Sequence, residues 1–351
     1  MAYPAIDDPE AYFQVKTYTG DGSTPSITLD GDTDMQPDMV WIKNRDATDS
    51  HCLFDSVRTA TEVLHGETSA VEATDADTLT SFDSDGFALG ADVKVNTDTE
   101  AYVAWCWKAG TSFSNDASAT SIGSIDSSGS VSTDAGFSIV IWTETTANSQ
   151  TIAHGLGTTP AMIITKLRDD SAMDPAWYTF HQSLGTGERI MLDSNSGDIT
   201  SGFFNGTLDS SVFHVGYGDS YDNKSAVAYC FADVQGYSKF GSYTGNGNAD
   251  GTFVYTGFRP AWVMVKATSI SGKSWMMFDN KRIGYNQENY TMVANESDAE
   301  DTTAGRYDIL SNGFKLRNSG SAQNGSGTTY IYAAFAEAPF VNSNGVPCNA
   351  R

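Results

Sequence analysis

The chain has 351 residues, of which 40% are hydrophobic, enough for a packed core and too many for a disordered chain. Lys and Arg total 20 against 44 Asp and Glu, a formal net charge of -24 that repels phosphate backbones and excludes nucleic acid as a partner. No run approaches the roughly 18 apolar residues of a membrane helix, so no membrane insertion is expected. The start, Met1-Ala2-Tyr3-Pro4-Ala5-Ile6, lacks the basic and apolar regions of a signal peptide, so synthesis in a cytoplasm is expected.

The residues Met1–Glu10 are read as an arm that docks on a partner. A first strand follows at Phe13-Gln14-Val15-Lys16-Thr17-Tyr18, and then a landmark, Pro37-Asp38-Met39-Val40-Trp41-Ile42-Lys43. Proline suits a strand start, where no ladder donor is needed, and the apolar run after it is that of a buried strand. A strand with an aromatic centre, His51-Cys52-Leu53-Phe54-Asp55, comes next, with room for a short helical turn around Val57 to Leu64. Ser84-Asp85-Gly86-Phe87 reads as a tight turn into a strand, and Tyr102-Val103-Ala104-Trp105-Cys106-Trp107 closes the unit.

The same order recurs twice. Pro160-Ala161-Met162-Ile163-Ile164-Thr165-Lys166 and Pro260-Ala261-Trp262-Val263-Met264-Val265-Lys266 repeat the landmark. Trp177 to His181 and Trp275 to Asp279 repeat the aromatic strand. Ala226-Val227-Ala228-Tyr229-Cys230-Phe231 and Tyr330-Ile331-Tyr332-Ala333-Ala334-Phe335 repeat the closing run. From proline to closing run the interval is about 70 residues each time, the signature of a repeated unit. The expected fold is therefore all-β, with three tandem β-sandwich modules of jelly-roll or lectin-like type. Their bounds are 1–110, 136–235 and 236–351, with 111–135 as a Ser/Thr/Gly-rich linker or edge hairpin.

Residue types that carry chemistry are scattered. Asp30, Asp32 and Asp34 alternate as in a calcium loop, but Met35 and Trp41 stand where an EF-hand needs Gly and Glu, so a solvated turn is the reading. Asp75 with Asp77, and Asp83 with Asp85, are similar pairs. His51, His154, His181 and His214 fall at no common position of the repeat, as a shared catalytic histidine would. Cys52, Cys106, Cys230 and Cys348 form no Cys-x-x-Cys pair, and Cys106, Cys230 and Ala334 occupy one repeat position, which suits a small buried residue. Catalytic and metal-ligating residues are therefore given as none, cofactors as none, and ligand-binding residues as unknown. Tyr217, Tyr221, Tyr285 and Tyr290, outside the repeated strands, are the aromatic candidates for a surface contact; Asn205 heads a sequon without expected use.

The string Pro37 to Arg45, the turn Ser84-Asp85-Gly86-Phe87, the run Tyr102 to Ala109 and the closing segment Ala336 to Pro347 resemble a module family of tailed, especially marine, bacteriophages. The resemblance covers nearly the whole chain, and Thr165 and Leu167 depart from it. It implies a virion protein, not an enzyme, of tail-fibre or adhesin type. Implied partners are other virion proteins, a host surface glycan or protein, and further copies of the chain, with a trimer favoured. A capsid decoration protein and a polysaccharide-degrading tail enzyme are the alternatives.

Overall fold

The computed structural model describes residues 4–147, 149–169, 175–185, 187–216, 222–287, 289–303 and 306–348. Strands form wherever apolar and β-branched residues run between turns, and they gather in three sets along the chain, each with one large and one small antiparallel sheet. In the first set the large sheet runs in the order Phe13–Thr19, Ala101–Trp107, Met39–Asn44, Cys52–Asp55, Glu62–His65, Ala73–Thr74. Its small sheet is Ser26–Thr28, Gly86–Leu89, Leu79–Asp83. The second set repeats the large sheet with Phe137–Thr143, Ser225–Phe231, Met162–Leu167, Tyr178–His181, Glu188–Met191 and Ile199–Thr200, and pairs Gln150–Ala153 with Val212–Val215. The third has Ser238–Thr244, Thr329–Pro339, Phe258–Ala267, Met276–Asp279 and Met292–Val293 over Phe253–Tyr255, Gly313–Leu316 and Tyr307–Leu310.

The fold is all-β, as the repeated strand pattern predicts; the α-helices among the described residues are the single turns Val93–Asn96 and Ala117–Thr120. Of the stretch Val57 to Leu64, where a short helical turn is expected, the first part forms a turn whose Val57 and Arg58 amides donate to Asp55 Oδ1, and Glu62–His65 forms a strand, because Val63 and Leu64 alternate into two different cores. In the 111–135 stretch, Thr111–Asn115 and Ser127–Ser132 pair with each other, and the latter continues onto Phe137–Thr143, extending that sheet to eight strands. Within the stretch read as an N-terminal arm, of which Met1 to Tyr3 lie outside the described residues, Ile6 is buried in the core and Asp7 accepts hydrogen bonds from the Ser343 backbone and hydroxyl.

Each set encloses a core between its two sheets, and a fourth core lies between the three large sheets. The central strands explain this arrangement. Along Met39–Asn44 every residue is buried; Val40 and Ile42 face the core within the set, while Met39 and Trp41 face the shared one. A strand apolar on both faces needs cover on both, and the other two sets provide the second cover. At the centre stand Trp107, Phe231 and Phe335, which hold the same register opposite Met39, Met162 and Trp262. Their ring centroids form a triangle with sides of 6.3, 5.6 and 5.8 Å.

Two rings of hydrogen bonds close the three seams. Trp177 Nε1 donates to the His65 carbonyl at 2.8 Å, Trp275 Nε1 to the Met191 carbonyl at 2.8 Å, and His51 Nε2 to the Val293 carbonyl at 3.0 Å. The donors occupy one repeat position and so do the acceptors, which are the register partners of Cys52, Tyr178 and Met276. Further out, the amides of Glu72, Asp198 and Glu300 donate to the carbonyls of Arg168, Thr268 and Arg45 at 2.8, 3.1 and 2.8 Å. The sets are thus joined head to tail in a closed cycle, the geometry of a cyclic trimer built within one chain.

Candidate functional site

The charged residues that recur in the sequence do structural work at these seams. The ammonium of Lys43 donates to the carbonyls of Asn44 and Ala47, that of Lys166 to Thr68 and Pro175, and that of Lys266 to Ser196 and Lys273. Thr68 and Ser196 belong to the neighbouring set, so the latter two lysines cross a seam. Burial pulls Lys43 and Lys266 down to about 8. Arg58, fully buried, binds Asp55 and Glu72, while Glu72 also takes Arg168 from the second set. Arg282 repeats this with Asp279 and Glu300, and Glu300 takes Arg45 from the first set.

His51, His154, His181 and His214 are held neutral inside the protein. His51 Nδ1 accepts from Trp41 Nε1 at 2.9 Å, which fixes the Nε2–H tautomer that donates to Val293. Burial pushes His51 down to about 3 and His181 to about 4. His181 donates to the Tyr332 carbonyl across the seam to the third set, and its Nδ1 accepts from the Ser183 amide. His154 and His214 are also lowered by burial and bonded to the Asp209 and Phe203 carbonyls. Cys106, Cys230 and Ala334 are fully buried in the three sandwich cores, as their shared repeat position predicts, and burial pushes both thiols up, away from reactivity.

Asp30 binds Lys16 on the surface, Asp32 and Asp34 are exposed, and Asp85 accepts from the Met35 amide. Among the described residues no three His, Cys, Asp or Glu converge as a metal site.

Two of the surface grooves bear on function. The larger, about 700 Å³, runs along the outer end of the second set and is lined by Asp116, Asp126, Trp142, Glu144, Arg168 and Ser225. Burial raises the Glu144 carboxyl to about 7 although Trp142 Nε1 and Gln150 Nε2 both donate to it. The second groove, about 490 Å³, lies where the second and third sets meet and is lined by Asp233, Gln235, Lys239, Tyr255 and Phe340 among others. Its Asp233 carboxylate takes Lys239 at 3.0 Å and the Phe240 amide at 2.7 Å.

Of the four tyrosines singled out in the sequence, Tyr285 is 68% exposed, Tyr290 lies partly under the Arg45 guanidinium at 5.8 Å, and Tyr217 and Tyr221 fall outside the described residues. Tyr255, 61% exposed, and Phe253, 44% exposed, are not among those four. The signal available in the sequence was the aromatic alternation Phe253-Val254-Tyr255 flanked by Gly251 and Gly257.

Residues 8–339 match a protein family described as a domain of unknown function, DUF7483. No curated protein and no solved structure matches the chain.

Proposed function

We propose, for a chain that belongs to the DUF7483 family, a structural role in a virus particle, as a rigid component of tail-fibre or adhesin type whose grooves and loops face a host surface. The observation that supports this reading is the closed cycle of seams around the Trp107, Phe231 and Phe335 rings. Such a cycle spends the large aromatic residues and buried charges on rigidity, leaving the periphery free to vary. Rigid elements hold surface contacts more accurately than mobile ones, and several weak contacts on one body add through avidity. The net charge of -24 keeps such a surface from sticking unspecifically. In this reading the chain is a binding and assembly component, not an enzyme, and its partners are other virion proteins and further copies of itself.

The test is copy number in purified particles, by quantitative mass spectrometry against the major capsid protein. A few to a few dozen copies per particle is the expected result. Hundreds of copies would move the chain to the capsid shell as a decoration protein, and absence from particles would overturn the proposal.

A further inference from the structure

We propose that the groove beside Tyr255 binds a neutral polysaccharide, with the Tyr255 ring as its stacking platform. This rests on the reading of the chain as a surface-contacting protein and names the chemistry of the contact.

The protein hides its large rings: Trp41, Trp105, Trp107, Trp177 and Trp275 are all almost fully buried. Tyr255 at 61% exposure and Phe253 at 44% break that habit side by side. They lie two residues apart on one strand, hence on one face, at a spacing of about 7 Å. The bareness of Tyr255 follows from its neighbours. The residue opposite Tyr255 in the sheet is Gly313, and the next turn carries Gly257, whose φ of +88° favours glycine and whose missing side chain leaves the ring edge open. An aromatic ring left in water costs free energy unless a ligand covers it, and an exposed aromatic patch with a polar rim marks a binding surface.

The rim fixes the chemistry. Asp233 and Lys239 pair at 3.0 Å, so the groove brings one charge of each sign and no net charge, and Gln235 is exposed beside them. A sugar ring offers an apolar C–H face to the tyrosine and hydroxyls that both donate to a carboxylate and accept from an ammonium. The remaining surface, at a net charge of -24, repels anionic glycans. A peptide or a second copy added to the edge strand Phe253–Tyr255 is the competing occupant. That strand offers only three residues of ladder, less than such an addition commonly uses.

The experiment is isothermal titration of the full chain with maltohexaose, cellohexaose and laminarihexaose, and with an alginate hexamer as the anionic control. Wild type is compared with Tyr255→Ala and Tyr255→Phe. At least one neutral hexasaccharide is expected to bind, Tyr255→Ala to weaken it by about tenfold or more, and Tyr255→Phe to retain it. An unchanged melting curve for Tyr255→Ala shows that the loss is local. The proposal is overturned if no neutral hexasaccharide binds, if binding ignores Tyr255→Ala, or if the alginate hexamer binds more tightly. It is equally overturned if Tyr255→Ala changes the mass of the protein in solution, which would assign the platform to a second copy. Particle copy number separates this from the broader reading. Binding by a chain absent from particles sinks only the virion role, and a particle component that binds no hexasaccharide sinks only the glycan site.

Discussion

The hydroxyl of Tyr229 donates to Asp55 Oδ2 at 2.8 Å, wholly buried, across the seam between the second and first strand sets. Trp105 Nε1 makes the corresponding bond to Asp279 Oδ2 at 3.1 Å, between the first and third sets. At the remaining seam His181 replaces the aspartate and donates to the Tyr332 carbonyl at 3.1 Å, next to Ala333, which has no donor to offer. One position in the cycle is therefore filled by two carboxylates and an imidazole, each bonded to the neighbouring set.

Removing the Tyr229 hydroxyl tests whether these seam bonds stabilise the fold. Tyr229→Phe keeps the ring on Trp177 and leaves the Asp55 carboxylate with one donor fewer in a buried site. The expected cost is about 1–3 kcal/mol. Urea unfolding of the two proteins side by side measures it, and a difference below about 0.5 kcal/mol would mean that the bond is neutral.

Because the central core is shared, a single strand set keeps its inner core but leaves the second face of its large sheet uncovered. Expressed alone, residues 1–110 would expose the Met39, Trp41, Trp105 and Trp107 face that the other sets cover. This fragment is expected to aggregate or self-associate, read by light scattering after size exclusion. A folded, monomeric 1–110 fragment would contradict the shared core.

Buried and exposed ion pairs are expected to differ sharply. Glu72 holds Arg58, which is wholly buried, and Arg168 from the neighbouring set, at 2.6 and 2.5 Å. Glu72→Ala strands part of the Arg58 charge and is expected to cost about 3 kcal/mol. Asp30, 58% exposed, pairs with Lys16 on the surface. Asp30→Ala is expected to stay within about 0.5 kcal/mol of the parent. Chemical denaturation of both variants decides it; equal effects would remove the distinction.

Acid sensitivity follows from the buried histidines. His181 is lowered by burial from 6.5 to about 4, so its contribution to stability is present above pH 6.5 and is lost as the pH falls toward 4. Between pH 7 and pH 5 that loss amounts to about 2 kcal/mol. Glu144, raised to about 7, works the other way: its contribution is present below 4.5 and lost as the pH rises through 7. Comparing wild type with His181→Asn isolates the first effect. Asparagine can accept from the Ser183 amide as Asp55 and Asp279 accept from Val57 and Lys281, but it does not titrate. The variant should lose about 2 kcal/mol less than wild type between those two pH values. Equal losses in the two proteins would show that His181 does not report the pH.

Much of this protein is legible in its sequence because strand signals are local. The alternation of side chains, the prolines near the central strands and the Asp-Gly and Asn-Gly turns define the strands and their threefold recurrence without reference to distant residues, although only Pro37 and Pro160 precede their strands and Pro260 sits inside the third at a bulge. The shared position of Cys106, Cys230 and Ala334 likewise predicts three small buried residues, which the structure places in three equivalent cores. What covers the second face of those strands is a different question, and a pattern apolar on both faces does not answer it. Only the tertiary structure brings Trp107, Phe231 and Phe335 together. The seams hide the cycle further by placing unlike residues in one role, with His51, Trp177 and Trp275 as donors and Asp55, His181 and Asp279 at the next position. The exposure of Tyr255 also depends on the folded chain, since the sheet sets Gly313, which has no side chain, opposite it and the turn at Gly257 leaves its ring edge open. Local pattern determines which segments become strands, whereas burial is a property of what packs on them, and that is decided only when the chain closes on itself.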